Sequence, residues 1–403
     1  MTISSSGGLI DALSEHRLLS SGQLAELPRL ALQRCGDART LAKTLIQKSW
    51  LSVYQVNQLL LGKGRELTIG PYFVIERLGQ GGLSTVYKAQ HKDSGNLVAI
   101  KVIKSEVFAT SAGRHAFLFE IEAMARFNHA NIVQFCDADQ WQDTYYFAME
   151  YVEGTDLGKI VRLNGALQVH EACDYIRQAA LGLQHAYERN LVHRDIKPVN
   201  LFLTHAPLDD PRRARAVFAT RKEPAPKEDL GKDTMLMRPL IKILDWGLAN
   251  FCAPSAADAA GESAANVVGT ADYFSPEQAR NPHAVDIRSD LYSLGCSLYY
   301  LLTDQPPFPD GQLLQKILAH QQATPRPIET FRNDVPEGVR NIVKRLMAKK
   351  PEDRFQTPAS VAMALLSYAR RAPSLTPTNI PVSRFHTTVR DDTPLPPTLA
   401  AKE

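Results

Sequence analysis

The sequence predicts an α+β chain in which a small all-helical module precedes a strand-rich lobe and a helical lobe. Three observations predict it. Residues 1–66 carry short amphipathic pieces with helix caps, and from Tyr72 to about residue 150 the chain alternates like strands around a glycine cluster. After Gly154 it is mostly helical to about residue 370. A chain of 403 residues is long enough for two or three domains, each with its own core.

Composition excludes several classes before any motif is read. Charged residues make up 22% and hydrophobic ones 44%, the balance of a soluble globular protein. A formal charge of +3 gives no reason to expect nucleic acid or an acidic membrane as the main partner. The five cysteines (Cys35, Cys136, Cys173, Cys252, Cys296) form no CxxC pair, which argues against a zinc site and a disulfide framework and fits a reducing compartment. MTISSSGGLIDALSEH lacks the basic start and long apolar core of a signal peptide. No stretch approaches the ~18 uninterrupted apolar residues of a spanning helix. The longest apolar run, Leu291 to Leu302, is broken by serines and Gly295 and reads as a buried helix. A cytoplasmic protein without a membrane span is expected.

In the helical module, Ser21 and Gly22 precede a leucine-rich stretch, Asp37 can cap ARTLAKTLIQK, and Ser52 can cap VYQVNQLLLGKG, with Gly62 and Gly64 ending it. The strand-rich lobe, residues 72–150, offers YFVIERLG, STVYKAQH and LVAIKVIK, a helix over about 114–127, then strands near NIVQFCD and TYYFAMEYV. The helical lobe follows over 151–367. Residues 205–239, between the strands LFL and IKIL, mix prolines with dense charge of both signs. Residues 371–403 are rich in Pro and Thr. Both read as flexible.

Gly79-Gln80-Gly81-Gly82-Leu83-Ser84-Thr85-Val86 lies between two strand patterns, and its glycines would let the backbone approach phosphates closely. Alone it serves equally well as a plain turn, and Ser84 occupies the third glycine position of GxGxxG. Lys101, in VAIK, is more informative: a lysine on an apolar strand must snorkel, pair or bind an anion. The helix at 114–127 offers Glu120 and Glu122 as partners. Phe117, Ile121, Met124 and Phe127 mark its buried face, and Glu120 lies nearer to that face, leaving Glu122 to solvent.

The densest chemistry is His193-Arg194-Asp195-Ile196-Lys197-Pro198-Val199-Asn200: an acid, two cations and a carboxamide within eight residues, just after the amphipathic EACDYIRQAALGLQHAYER. With HRD…N the chain resembles the protein kinase family, whose two-lobed fold, with a β-rich N-lobe and a helical C-lobe, the resemblance implies over about residues 72–367. By that resemblance Asp195 orients the substrate hydroxyl and accepts its proton, Lys197 neutralises charge on the transferring phosphoryl group, and Asn200 holds a metal ion. A lysine two residues after the aspartate is typical of serine/threonine kinases. Asp245-Trp246-Gly247 matches the DFG position with Trp for Phe and retains the metal-binding carboxylate, so ATP with Mg²⁺ or Mn²⁺ is implied. Asn200 and Asp245 then sit at one end of a hairpin, and the 205–239 insert must emerge at the other.

The same resemblance assigns the remaining residues. Leu78, the loop Gly79 to Ser84, Val86 and Ala99 would cover the nucleotide, with Lys101 on its phosphates. Met149 falls at the gatekeeper position, Glu150 to Val152 would offer hinge groups to adenine, and Asp156 would reach the ribose. Gly269-Thr270-Ala271-Asp272-Tyr273-Phe274-Ser275-Pro276-Glu277 matches the end of an activation segment, with SPE for APE. Thr270 would shape the hydroxyl site, Glu277 would pair with Arg354, and Asp290 would brace the catalytic loop or cap its helix, or both. Arg194 beside Asp195 implies control by an anion, and Ser263 is the expected phosphosite, with Glu262 as a partial stand-in. Thr376 and Thr393 are further candidates. GTADYFSPEQ with HRDIKP is similar to the bacterial Hanks-type (PknB-like) branch.

Three readings stand at this point. The first is an active kinase transferring phosphate to protein Ser/Thr hydroxyls, itself included, in signal transduction. The second is a pseudokinase scaffold that binds nucleotide and recruits partners. The third is a small-molecule kinase sharing the fold. Retention of Lys101, Asp195, Asn200 and Asp245 favours the first, and the activation segment at 245–277 disfavours the third. Regulatory proteins docking on the N-terminal helices are a further expectation.

Overall fold

The computed structural model describes residues 3–33, 37–81, 84–103, 121–122, 124–207, 237–246, 271–281 and 285–369. Of the sequence expectations, those on Gly82, Leu83, Glu120, Gly247, Glu262, Ser263 and Thr270, on the middle of the insert and on residues 371–403 lie outside the described residues. The described residues form two compact units. The first draws on 1–126 and 134–152, the second on 127–133 and 153 onward.

The first unit opens with four helices: α1 Ser6–Glu15, α2 Ser21–Gln33, α3 Ala38–Gln47 and α4 Val53–Leu60. Local chemistry sets three of the starts. The side chains of Ser5, Asp37 and Ser52 accept the backbone N–H of Gly8, Arg39 and Gln55, each filling a donor that the first turn leaves open. A six-stranded antiparallel sheet follows, with β1 Thr68–Ile69, β2 Tyr72–Gln80, β3 Ser84–His91, β4 Leu97–Ile103, β5 Phe135–Trp141 and β6 Thr144–Glu150 in the order β1-β2-β3-β4-β6-β5.

Among the described residues, the helices share one buried cluster with that sheet. Leu9, Leu13, Leu27, Leu41, Leu45, Val56 and Leu59 bury in one cluster with Val74, Ala89, Val98, Ile100, Tyr146 and Ala148. The small helical module expected over residues 1–66 is present as these four helices: α1 packs on α2, α3 and α4, α3 packs on α4, and α4 lies against β2. Strand alternation then commits the other face of the sheet. Lys101 is paired directly with Val86 and Phe147, and Ala99 with Met149, so these residues share the face turned away from the helices.

The second unit contains a three-stranded sheet, β7 Thr155–Asp156, β8 Leu201–Pro207 and β9 Met237–Ile243, in the order β7-β8-β9. The strands flanking the insert therefore run to Pro207 and resume at Met237, inside the 205–239 segment that reads as irregular in sequence. Cross-strand bonding of the hairpin outweighs the unfavourable composition there.

The helices of this unit are α5 Leu157–Asn164, α6 Val169–Tyr187, α7 Pro276–Arg280, α8 Ile287–Thr303, α9 Leu313–Gln322, α10 Glu337–Leu346 and α11 Pro358–Leu365. The long apolar run lies in α8, which is buried at every position except Arg288. Its polar side chains are accommodated by back-bonding: Ser297 donates to Ser293 O at 2.9 Å and Thr303 to Tyr299 O at 2.8 Å. Gly295 lets α10 approach, since a Cβ there would stand 2.6 Å from that of Leu346. No helix among the described residues is long and apolar enough to cross a membrane.

Candidate active site

The loop between α6 and β8 gathers the acid, cation and carboxamide of HRDIKPVN. Asn200, 5% exposed, sits on a 3₁₀ turn begun by Pro198. Its Nδ2 donates to Asp195 O at 2.7 Å and to Asp195 Oδ2 at 3.1 Å. Lys197 Nζ lies 2.9 Å from the same Oδ2. One carboxylate oxygen of Asp195 is thus held by a cation and an amide, in a position where both side chains of the ion pair stay less than one-fifth exposed.

The loop is braced from behind. Asp290, 1% exposed, accepts the backbone N–H of His193 on Oδ2 and that of Arg194 on Oδ1, each at 2.7 Å. Burial pushes the Asp290 carboxyl up, and His193 together with the two backbone N–H groups pulls it back. Asp290 does not cap its helix. Asp286 does, accepting from Arg288 N at 2.8 Å, and Asp290 lies a turn further in. Arg194 adopts φ 67°, a left-handed conformation that a non-glycine residue holds only when its surroundings fix it. The two Asp290 bonds and that from Gln278 Nε2 to Arg194 O, at 2.7 Å, are what fix it.

His193 is fully buried and joins the loop to the end of β9. Its Nδ1 accepts from Asp195 N at 3.2 Å and its Nε2 faces Leu244 O at 2.8 Å. A backbone N–H can only donate and a carbonyl can only accept, so the ring hydrogen belongs on Nε2. Leu244 N in turn donates to Asn200 O at 2.9 Å. These bonds place Asp245 beside the loop that carries Asn200. Asp245 has φ 56°, a second non-glycine residue in the left-handed region at this site. Trp246, 4% exposed, packs on His193 (ring centroids 4.8 Å apart) and on Phe127 (4.9 Å). Its indole nitrogen has no hydrogen-bond partner among the described residues.

Two ion pairs hold the segment after the undescribed part of the activation region. Arg354, fully buried, grips Glu277 with both terminal nitrogens, at 2.6 and 2.8 Å, and donates further to Ala348 O, Arg288 O and Lys349 O. Lys316 makes a close ion pair with Asp272, whose carboxyl burial pushes up and Lys316 pulls down. Sequence reading expected the first pair and missed the second, as it missed Gln278. Nothing near residue 316 marks a lysine that must return 44 positions along the chain.

In the first unit, β2 and β3 form a hairpin closed by Gly81 N donating to Ser84 O at 2.8 Å, with Gly79 opposite Val86 and Gln80 opposite Thr85. Leu78 is an extra residue between two paired positions of β2. Lys101 is 8% exposed and lies 5.9 Å from the Phe147 ring. Glu150 turns its carboxylate onto the Gln134 N–H at 2.8 Å, and Met149 is buried beside it. Val152 is half-buried. Asp156, in the second unit, spends Oδ1 on the Lys159 N–H at 2.7 Å as the cap of α5. Glu122 lies on the solvent side, 2.8 Å from Arg126.

Comparison with known proteins identifies the family of the chain. The protein kinase domain family matches residues 72–366. Serine/threonine-protein kinase Pkn1 of Myxococcus xanthus is 32% identical over 73% of the chain and 38% of its own length. PrkC of Bacillus subtilis is 30% identical over 72% of the chain and 39% of its length. The chain thus spans about two-fifths of these relatives. Among solved structures, the Mycobacterium tuberculosis PknI kinase domain superposes with a TM-score of 0.53 at 24% identity, covering 75% of this chain and 98% of that one. On its motifs, its fold and this match, the chain belongs to the protein kinase family.

Proposed function

We propose that the protein is an ATP-dependent serine/threonine kinase that moves the γ-phosphoryl group of ATP to protein Ser/Thr hydroxyls, its own included, in signal transduction. The observation that carries this reading is the convergence of Lys197 and Asn200 on one carboxylate oxygen of Asp195. That leaves the other oxygen to receive a hydroxyl proton, while the lysine stands where negative charge gathers on the phosphoryl oxygens. The acceptor oxygen attacks phosphorus, the bond to the β-phosphate oxygen breaks, and the proton passes to Asp195.

The donor set fits a hard divalent cation. Asn200 commits its Nδ2 hydrogens to Asp195, so its carbonyl oxygen is the atom left for a metal, and Asp245 adds a carboxylate. Mg²⁺, or Mn²⁺ in its place, would supply charge neutralisation on the nucleotide phosphates. Lys101 with Glu120, the strand face bearing Val86, Ala99 and Met149, and the backbone of Glu150 to Val152 are assigned to the nucleotide.

The kinase domain is assigned to residues 72–367, with the 205–239 insert and the 371–403 tail as appendages. Activity is controlled through Arg194 and a phosphate on Ser263, the substrates are proteins of the cytoplasm, and regulatory proteins dock on the N-terminal helices. Incubation with γ-labelled ATP, Mg²⁺ and a basic carrier protein tests the reading. Label should enter the carrier and fall to background on chelation. Labelling that persists in excess chelator would remove the metal-assisted mechanism.

A further inference from the structure

The start of α4 is bonded to the strand that leads into the glycine-rich hairpin, at an irregular point in its ladder. In β2, Val74 pairs with Ala89 and Glu76 with Lys88, so Ile75 is an extra residue that bulges the strand. A second shift, at Leu78, follows before Gly79. The outer edge of β2 is paired by β1 only at Tyr72 and Phe73. Beyond that point the carbonyls of Val74 and Ile75 are taken by side chains of the capping box that starts α4. Gln55, 7% exposed, donates from Nε2 to Val74 O at 2.8 Å, and the Ser52 hydroxyl donates to Ile75 O.

Both side chains work twice. Gln55 Oε1 accepts the Ser52 N–H at 2.9 Å, and Ser52 Oγ accepts the Gln55 N–H at 3.0 Å. A cap used only to start a helix would leave the remaining donors to water. Here every donor of the box that faces the sheet ends on the bulge. Tyr54, between them in sequence, places its ring 6.3 Å from that of Tyr87, the neighbour of Val86 on β3. The cap and two first-turn side chains of α4 therefore meet both strands of the hairpin within a few residues of Gly79 and Val86.

We infer that Ser52 and Gln55 are positioning residues for nucleotide binding: by pinning the β2 bulge they set the direction in which the glycine-rich hairpin leaves the sheet. A bulge left without partners for two successive carbonyls can slip or flatten, and either change swings the strand end that follows. The start of α4 then supports the nucleotide site from behind the hairpin. The inference rests on the kinase reading.

Its test uses the full chain, a fluorescent ATP analogue with Mg²⁺ in equilibrium titration, and steady-state kinetics on a Ser-containing peptide. Ser52→Ala and Gln55→Leu each remove the bond to β2 together with one bond of the capping box, and each should raise Kd and KM for the nucleotide about tenfold. The peptide KM should not move and kcat should stay within about twofold. Ser52→Thr, which keeps the hydroxyl, should behave as wild type. If Gln55→Leu does not fold, Gln55→Glu, which keeps the acceptor for Ser52 and loses the donor to Val74, carries the same expectation. Unchanged nucleotide Kd below the melting midpoint, even with a lowered Tm, would overturn the inference, as would a Ser52→Thr as weak as Ser52→Ala. A wild type that binds no analogue would instead overturn the kinase reading itself.

Discussion

Asp195 and Asp290 show how two aspartates of one site divide their work by environment. Asp195 remains partly exposed and shares one oxygen with Lys197 and Asn200, whereas Asp290 is sealed and spends both oxygens on backbone N–H groups. Asp290→Asn turns an NH₂ group toward one of two N–H donors, and should lower stability by about 1–3 kcal/mol in urea unfolding and reduce kcat. Trp246→Phe removes an indole nitrogen that bonds to nothing among the described residues, while keeping a ring between His193 and Phe127. It should change stability by less than about 1.5 kcal/mol and leave kcat nearly intact, whereas Trp246→Ala should cost about 3–5 kcal/mol.

Much of this residue chemistry was legible in the sequence, because the groups of HRDIKPVN lie within one loop and need little tertiary context. The cap of α8 was not. Asp286 and Asp290 both precede apolar residues, and only the fold decides which one meets the helix N–H groups and which one reaches 97 residues back to His193.

Among elements, the strands that carry Lys101 and Met149 illustrate what alternation settles. Once Val98, Ile100, Tyr146 and Ala148 join the buried cluster shared with the helices, the intervening Ala99, Lys101, Phe147 and Met149 have no choice of face. The caps at Asp37 and Ser52 were readable from residue type, but not the second use of Ser52 and Gln55 on β2. That depends on a bulge that no local pattern marks. Glu277 and Arg354 stand 77 residues apart, and their pairing came from motif resemblance alone. Removing one partner leaves a fully buried guanidinium or an uncompensated carboxylate. Glu277→Gln or Arg354→Leu should therefore lower stability by about 3–5 kcal/mol, while Glu277→Leu with Arg354→Leu should recover a large part of it in the same unfolding assay.

For the whole molecule, one fully buried and one half-buried histidine make stability depend on acidity. Burial, reinforced by Lys349, lowers the His320 pKa from 6.5 to about 3, and burial with His185 lowers that of His129 to about 4. His320 is fully buried, and its Nδ1 meets the Tyr292 hydroxyl at 3.0 Å. With folded values below the unfolded one, the unfolded chain takes up protons first. The stabilisation is complete above about pH 6.5 and is lost as pH falls toward 4 and then 3. The unfolding free energy from urea titrations should fall over that window, by an amount on the order of a few kcal/mol in all, and His320→Asn should flatten the slope.

The account as a whole stands on phosphoryl transfer through Asp195. The most direct measurement is phosphoamino-acid analysis of protein incubated with γ-labelled ATP and Mg²⁺, for wild type beside Asp195→Asn, with nucleotide affinity measured on both. The account predicts phosphoserine or phosphothreonine in the wild type, at least about a hundredfold less in the variant, and equal nucleotide affinity. Equal labelling of the two proteins, or a wild type that binds nucleotide and transfers nothing, would contradict it.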